Sequence, residues 1–136
     1  MRHRVSGKKL GRNRNERKAL FKNLTSSLIL HGEIKTTEAK AKAIKRLVDK
    51  LVTRAKQQTL SARRLLTAFL QDKKVVSRLV DEIAPKFKER QSGFTRILRL
   101  GKREGDQAMM VKIEFVEGVE EKPATQRTQR KAGGTE

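Results

Sequence analysis

Two histidines, His3 and His31, and the adjacent carboxylates Asp81 and Glu82 are the residues whose types could support acid–base or metal chemistry. Their spacing argues against both. A metal centre gathers three or four His, Cys or carboxylate ligands at short intervals, and here neither histidine has a cysteine or a carboxylate cluster at such spacing. Phosphate contact or plain solvation accounts better for the two imidazoles. A ribonuclease could pair two histidines with a lysine as acid, base and electrostatic stabiliser, but nothing in the spacing supports that arrangement. Side chains at consecutive helical positions diverge by about 100°, whereas paired catalytic carboxylates must converge on one bond. Asp81 and Glu82 are therefore expected on a solvated or salt-bridged face. No Walker loop and no G-x-G-x-x-G occurs, so no nucleotide cofactor, no metal and no small-molecule substrate is expected, and no enzymatic activity.

Cationic side chains supply the chemistry this chain does have. It carries 34 Lys and Arg against 15 Asp and Glu, a formal net charge of +19, far more than solubility requires, so the expected partner is a polyanion. Residues 1–22 hold nine of the cations and one acid, Glu16, whereas residues 117–136 hold four of each sign. The attraction thus lies before residue 117. The tail beyond it is nearly devoid of apolar residues, too poor to offset its own ordering entropy, and is expected to be disordered. Cysteine is absent, which fits a reducing cytoplasm. The charged opening lacks the apolar stretch of a signal peptide, and no run of about 18 apolar residues follows; neither export nor membrane insertion is expected.

The elements that must position these cations follow from periodicity. Asn13 and Glu16 stand three apart as in a capping box, ahead of an apolar stripe of Leu20, Phe21, Leu24 and Leu28, with Gly32 as a stop. Residues 33–36, with Ile34 and a Thr, suit a brief strand, and Thr37 is placed to cap the next helix. That helix carries Ala41, Ile44, Leu47, Val48, Leu51, Val52 and Ala55 on one face while Lys42, Lys45, Arg46 and Lys50 point elsewhere. Ser61 can cap a third helix bearing Leu65, Leu66 and Phe69. Asp72 can cap a fourth bearing Val76, Leu79, Val80 and Ile83, ending before Pro85. Met109, Val111, Ile113 and Phe115 then alternate with Met110, Lys112, Glu114 and Val116, a half-buried strand, paired with residues 94–100 across a loop rich in Lys, Arg, Gly and Asp. The expected fold is α+β: about four helices packed on a small sheet of about three strands. Its expected organisation is a basic RNA-binding extension over 1–12, one globular domain over 13–116, and a flexible tail over 117–136. Strand order is not readable.

The candidate contacts are Arg2, His3, Arg4, Lys8, Lys9, Arg12 and Arg14 in the arm; Arg17, Lys18 and Lys22 on the first helix; Lys35, Thr36, Thr37, Lys40 and Lys42 around the second helix start; and Arg96, Arg99, Lys102 and Arg103 in the hairpin. A helix N-terminus offers backbone N–H donors and a positive dipole end, so the hydroxyls of Thr36 and Thr37 could cap the helix or meet a phosphate equally well. Aromatics make up 4% of the chain, without Trp or Tyr, which disfavours a base-stacking platform and favours recognition by shape and phosphate. Neither a clear recognition helix nor sustained heptads appear. Charge on its own also admits an architectural double-stranded DNA-binding protein. A cationic amphipathic helix such as the second can mark a membrane surface, but its face is aliphatic and a domain of this size needs it for its core.

Several segments, in order and at matching separation, carry a more specific signal: Met1-Arg-His-Arg, Ser6-Gly-Lys, Leu10-Gly-Arg-Asn13-Arg, the helix over 17–31, Ile34-Lys-Thr-Thr37, Ala39-Lys-Ala-Lys42, and Phe94-Thr-Arg-Ile-Leu98 followed by Arg103, Gly105, Asp106 and Ala108. Over about residues 1–116 the sequence closely resembles the bacterial ribosomal protein L17 family. The resemblance implies a structural, non-enzymatic component of the large subunit in the cytoplasmic ribosome. It would contact the large-subunit ribosomal RNA near the peptide exit side among neighbouring ribosomal proteins, with the basic extension, Arg2 to Arg14, sunk in folded RNA.

Overall fold

The computed structural model describes His3 and residues 7–117. The expected tail beyond 117 lies outside the described residues. Helix α1 (Arg14–His31) opens with the reciprocal capping box: the Asn13 side chain accepts from the Glu16 backbone N–H at 2.9 Å, and the Asn13 N–H donates back to the Glu16 carboxylate at 3.1 Å. It closes on Gly32 at φ 80°, whose N–H donates to the Leu28 carbonyl at 2.8 Å. The buried stripe sits later than the apolar spacing suggests. Thr25, Leu28 and Ile29 are buried, while Leu20, Phe21 and Leu24 are half-buried.

Strand β1 (Glu33–Thr37) passes directly into α2 (Glu38–Ala55), which buries Ala41, Ile44, Val48, Leu51, Val52 and Ala55 in the centre of the core. Helix α3 (Leu60–Leu70) starts one residue before the expected Ser61. The cap is Thr59, whose hydroxyl accepts from the Ala62 N–H at 3.2 Å. Leu66 is buried as expected, but Leu65, one position or about 100° away, faces solvent. Helix α4 (Lys73–Arg78) is capped by Asp72 as expected and runs through a π turn (Leu79–Ile83) into the short α5 (Ala84–Lys86). Pro85 therefore lies inside the helical body and not beyond it. Proline has no N–H for the carbonyl four residues back and its ring crowds that carbonyl. The wider ladder just before it, in which the Ala84 N–H reaches five back to Leu79, is the local solution.

The sheet is antiparallel throughout, in the order β1-β3-β2, with β2 (Thr95–Lys102) and β3 (Met109–Phe115) forming the hairpin. Its inner face sets Ile34 and Thr36 beside Val111 and Ile113, with Thr95 and Ile97 on the far side, against the helices. Buried Phe87, Phe94 and Phe115 close one end of this layer, with ring centroids 5.2 and 5.9 Å from Phe87. Among the described residues, four helical bodies, counting 73–86 as one, pack on a three-stranded sheet, the α+β arrangement that the periodicities imply.

Candidate nucleic-acid interface

Of the arm residues, Arg2 and Arg4 lie outside the described residues, while His3, Lys8 and Lys9 are exposed. Arg12 closes a turn before α1. Its backbone N–H donates to the Lys9 carbonyl at 3.1 Å and its guanidinium to the Leu10 carbonyl at 2.9 Å. On α1, Arg14 and Lys18 are exposed and Arg17 and Lys22 half-buried. Separations of three and four place all four on one helical face, so the charge of the arm continues along α1 as a stripe.

The second helix start is less simple than its sequence. Thr37 occupies the N-cap with extended backbone but makes no side-chain cap bond. Thr36, 8% exposed, faces the helices opposite Val111, because strand alternation turns it inward and leaves Lys35 outward. Glu38 already places a carboxylate at the positive end of α2, bridging Lys42 at 2.8 Å and Arg99 at 3.1 Å. The Lys42 hydrogen bond, aided by the charge of Arg99, holds the Glu38 carboxyl below its ordinary range. Lys40 is half-buried on the other side of the helix.

The hairpin cations divide. Arg96 and Arg99 are three apart on a strand, so they occupy opposite faces of β2. Arg96 lies outward beside Glu114, which also accepts from Lys112 at 2.8 Å, and Lys112 reaches Glu33 at 3.1 Å. Glu114 is 8% exposed, and its hydrogen bonds to Lys112 and then Arg96 keep its carboxyl below the ordinary value. Arg99 points the other way, to Glu38. Arg103 grips Asp106 through Nε and Nη2 at 2.8 and 2.6 Å. This lowers the Asp106 carboxyl and raises the arginine further. Lys102 is exposed beside it. Three of the four hairpin candidates thus carry an internal counter-anion, which fixes their geometry and reduces the charge they offer.

A face of which the candidate set includes only Lys42 has no such restraint along most of its length. Lys42, Arg46, Lys50 and Arg54 are all exposed and recur every fourth residue of α2, one per turn and about 6 Å apart. The spacing is readable in the sequence: these cations occupy the side opposite the apolar stripe. His3 and His31 are exposed, and no group of three His or carboxylate side chains that could hold a metal occurs among the described residues. Asp81 and Glu82 turn to separate arginines, Arg63 at 2.9 Å and Arg78 at 3.9 Å. No helix among the described residues is long and apolar enough to cross a membrane.

Known proteins resemble this chain along most of its length. Residues 20–116 match the family described as ribosomal protein L17. The chain is also 50% identical over 113 residues to the large ribosomal subunit protein bL17 of Natranaerobius thermophilus, an alignment spanning 83% of this chain and 100% of that protein. The strand that feeds straight into α2 and the basic hairpin fall within residues 20–116, and the chain belongs to the ribosomal protein L17 family.

Proposed function

We propose that this protein is a structural constituent of the large ribosomal subunit in the cytoplasmic ribosome, and that it binds and stabilises large-subunit ribosomal RNA among neighbouring ribosomal proteins, without catalysing a reaction. The observation that carries the reading is the alignment along the whole of a large-subunit protein at 50% identity. The physical support is a set of separate cationic faces on a rigid α+β body: the arm with the α1 stripe, the exposed face of α2, and Lys102 at the hairpin loop. Arginine and lysine displace the cations condensed around phosphates, so affinity falls steeply with salt, while contacts at several points fix RNA helices in register. Residues 1–12 act as the basic RNA-binding extension and 13–116 as the folded body.

Sucrose-gradient fractionation of a lysate at low and high salt, with mass spectrometry of each fraction, tests the reading. Co-sedimentation with the large subunit supports it. Recovery with the nucleoid and not with the subunit refutes it and favours the DNA-binding alternative.

A further inference from the structure

The end of α2 remote from the hairpin loop carries a second cationic feature, built differently from the first. Lys56, just past the helix, holds its ammonium 5.3 Å from the Phe94 ring centroid and donates to the Arg90 carbonyl. Phe94 is fully buried, so the platform under that ammonium is fixed, and two of the three ammonium hydrogens remain to point elsewhere. Two residues on, Gln58 adopts φ 56° and donates its amide to the Val80 carbonyl at 2.9 Å, tying the α2 terminus to the π turn. Lys56, Gln58, Ala84, Pro85 and Lys88 line one cavity of about 310 Å³ between these segments. Its lining residues include two lysines and a glutamine and, among the described residues, no Asp or Glu. That sets it apart from Lys42, Arg96, Arg99 and Arg103, each of which faces an acid; Pro85 and Lys88 also border the adjoining groove over Lys86 and Arg90, whose lining includes Glu89 and Glu117.

We propose that this cavity binds a backbone phosphate of the ribosomal RNA, between the ammonium groups of Lys56 and Lys88 with the Gln58 amide at its side. The proposal rests on the RNA-binding reading above. Lysine serves phosphate as a point charge, and here one of the two is held in place before the ligand arrives, which lowers the ordering cost of binding. The 18 residues of α2 span about 27 Å, so the cavity and the hairpin end grip RNA at two well-separated places and the domain acts as a strut between them.

Lysine acetylation footprinting of intact large subunits against the free full-length chain tests this. Lys88 is expected to react freely in the isolated chain, to be protected several-fold in the subunit, and to regain reactivity when the subunit is treated with ribonuclease. Large subunits assembled with Lys88→Gln or Lys56→Gln should release the protein at lower salt than wild type, while Lys73→Gln leaves the release point unchanged. Lys88 as reactive in the subunit as in the free chain, with Lys8 and Lys9 protected, overturns the cavity proposal and leaves the RNA-binding reading standing. Protection of Lys88 that survives ribonuclease means a protein occupies the cavity and also overturns the proposal. Absence of the chain from the subunit defeats both.

Discussion

Glu114 shows how much of this surface depends on single residues. Alternation along β3 marks it as outward, and it is outward, yet it is nearly buried because Arg96 from β2 and Lys112 close over it. Since those bonds hold its folded-state value below the ordinary 4.5, the stabilisation is fully present above that value and is lost as pH falls through the folded one. Glu38 and Asp106 shift in the same direction, through Lys42 and Arg103 respectively. Urea-unfolding midpoints should therefore decline as pH is lowered from about 7 towards about 3, and Glu114→Gln should remove part of that decline while lowering the midpoint at neutral pH. A pH profile unchanged by the substitution would refute this assignment. The burial of Glu114 was not legible in the sequence, because its cover comes from another strand. The inward turn of Thr36 was, since Ile34 sets the parity of β1.

Elements were legible where their ends carry local chemistry. The Asn13–Glu16 box, Gly32 and the Asp72 cap each act within four residues, and each is where the sequence placed it. Asn13→Ala should cost about 0.5–2 kcal/mol, and Gly32→Ala, forced to hold φ 80°, about 1–2 kcal/mol; thermal melts of the two variants check both. The failures have the same logic. Thr59 and Ser61 are both competent caps two residues apart, and the choice fell to the hydroxyl that reaches the Ala62 N–H. The π turn has no simple sequence mark, since its freed carbonyl is satisfied from 22 positions away by Gln58. Gln58→Ala leaves the Val80 carbonyl without that donor and should destabilise the protein by about 1 kcal/mol, a loss that urea titration would detect.

At the scale of the whole molecule, charge announces the class of partner but not how much of it is free to act. Arg96, Arg99 and Arg103 in the hairpin are paired with acids, whereas Arg46, Lys50 and Arg54 on α2, plain in their spacing, are exposed along one face. Deleting residues 1–12 should leave the thermal midpoint nearly unchanged and flatten the dependence of log affinity on log salt for large-subunit RNA, by about 0.7–0.9 for each phosphate that the arm neutralises. An unaltered slope would show that the arm neutralises none. Charge reversal at Arg46 and Lys50 should weaken RNA binding without changing the circular dichroism spectrum, because both side chains project away from the core.

The strand order has a consequence in time. β3 is the middle strand, and Lys35 of β1 pairs with Lys112, 77 positions later. At the usual synthesis rate of about 5–20 residues per second, β1 waits about 4–15 s for its partner. The sheet then closes by insertion into its centre, not by growth at its rim. During that interval Ile34 and Thr36 have no strand beside them, while the cationic arm and α1, made first, are already free to meet nucleic acid. Birth order thus runs against spatial order: the strand synthesised latest is the one both earlier strands depend on.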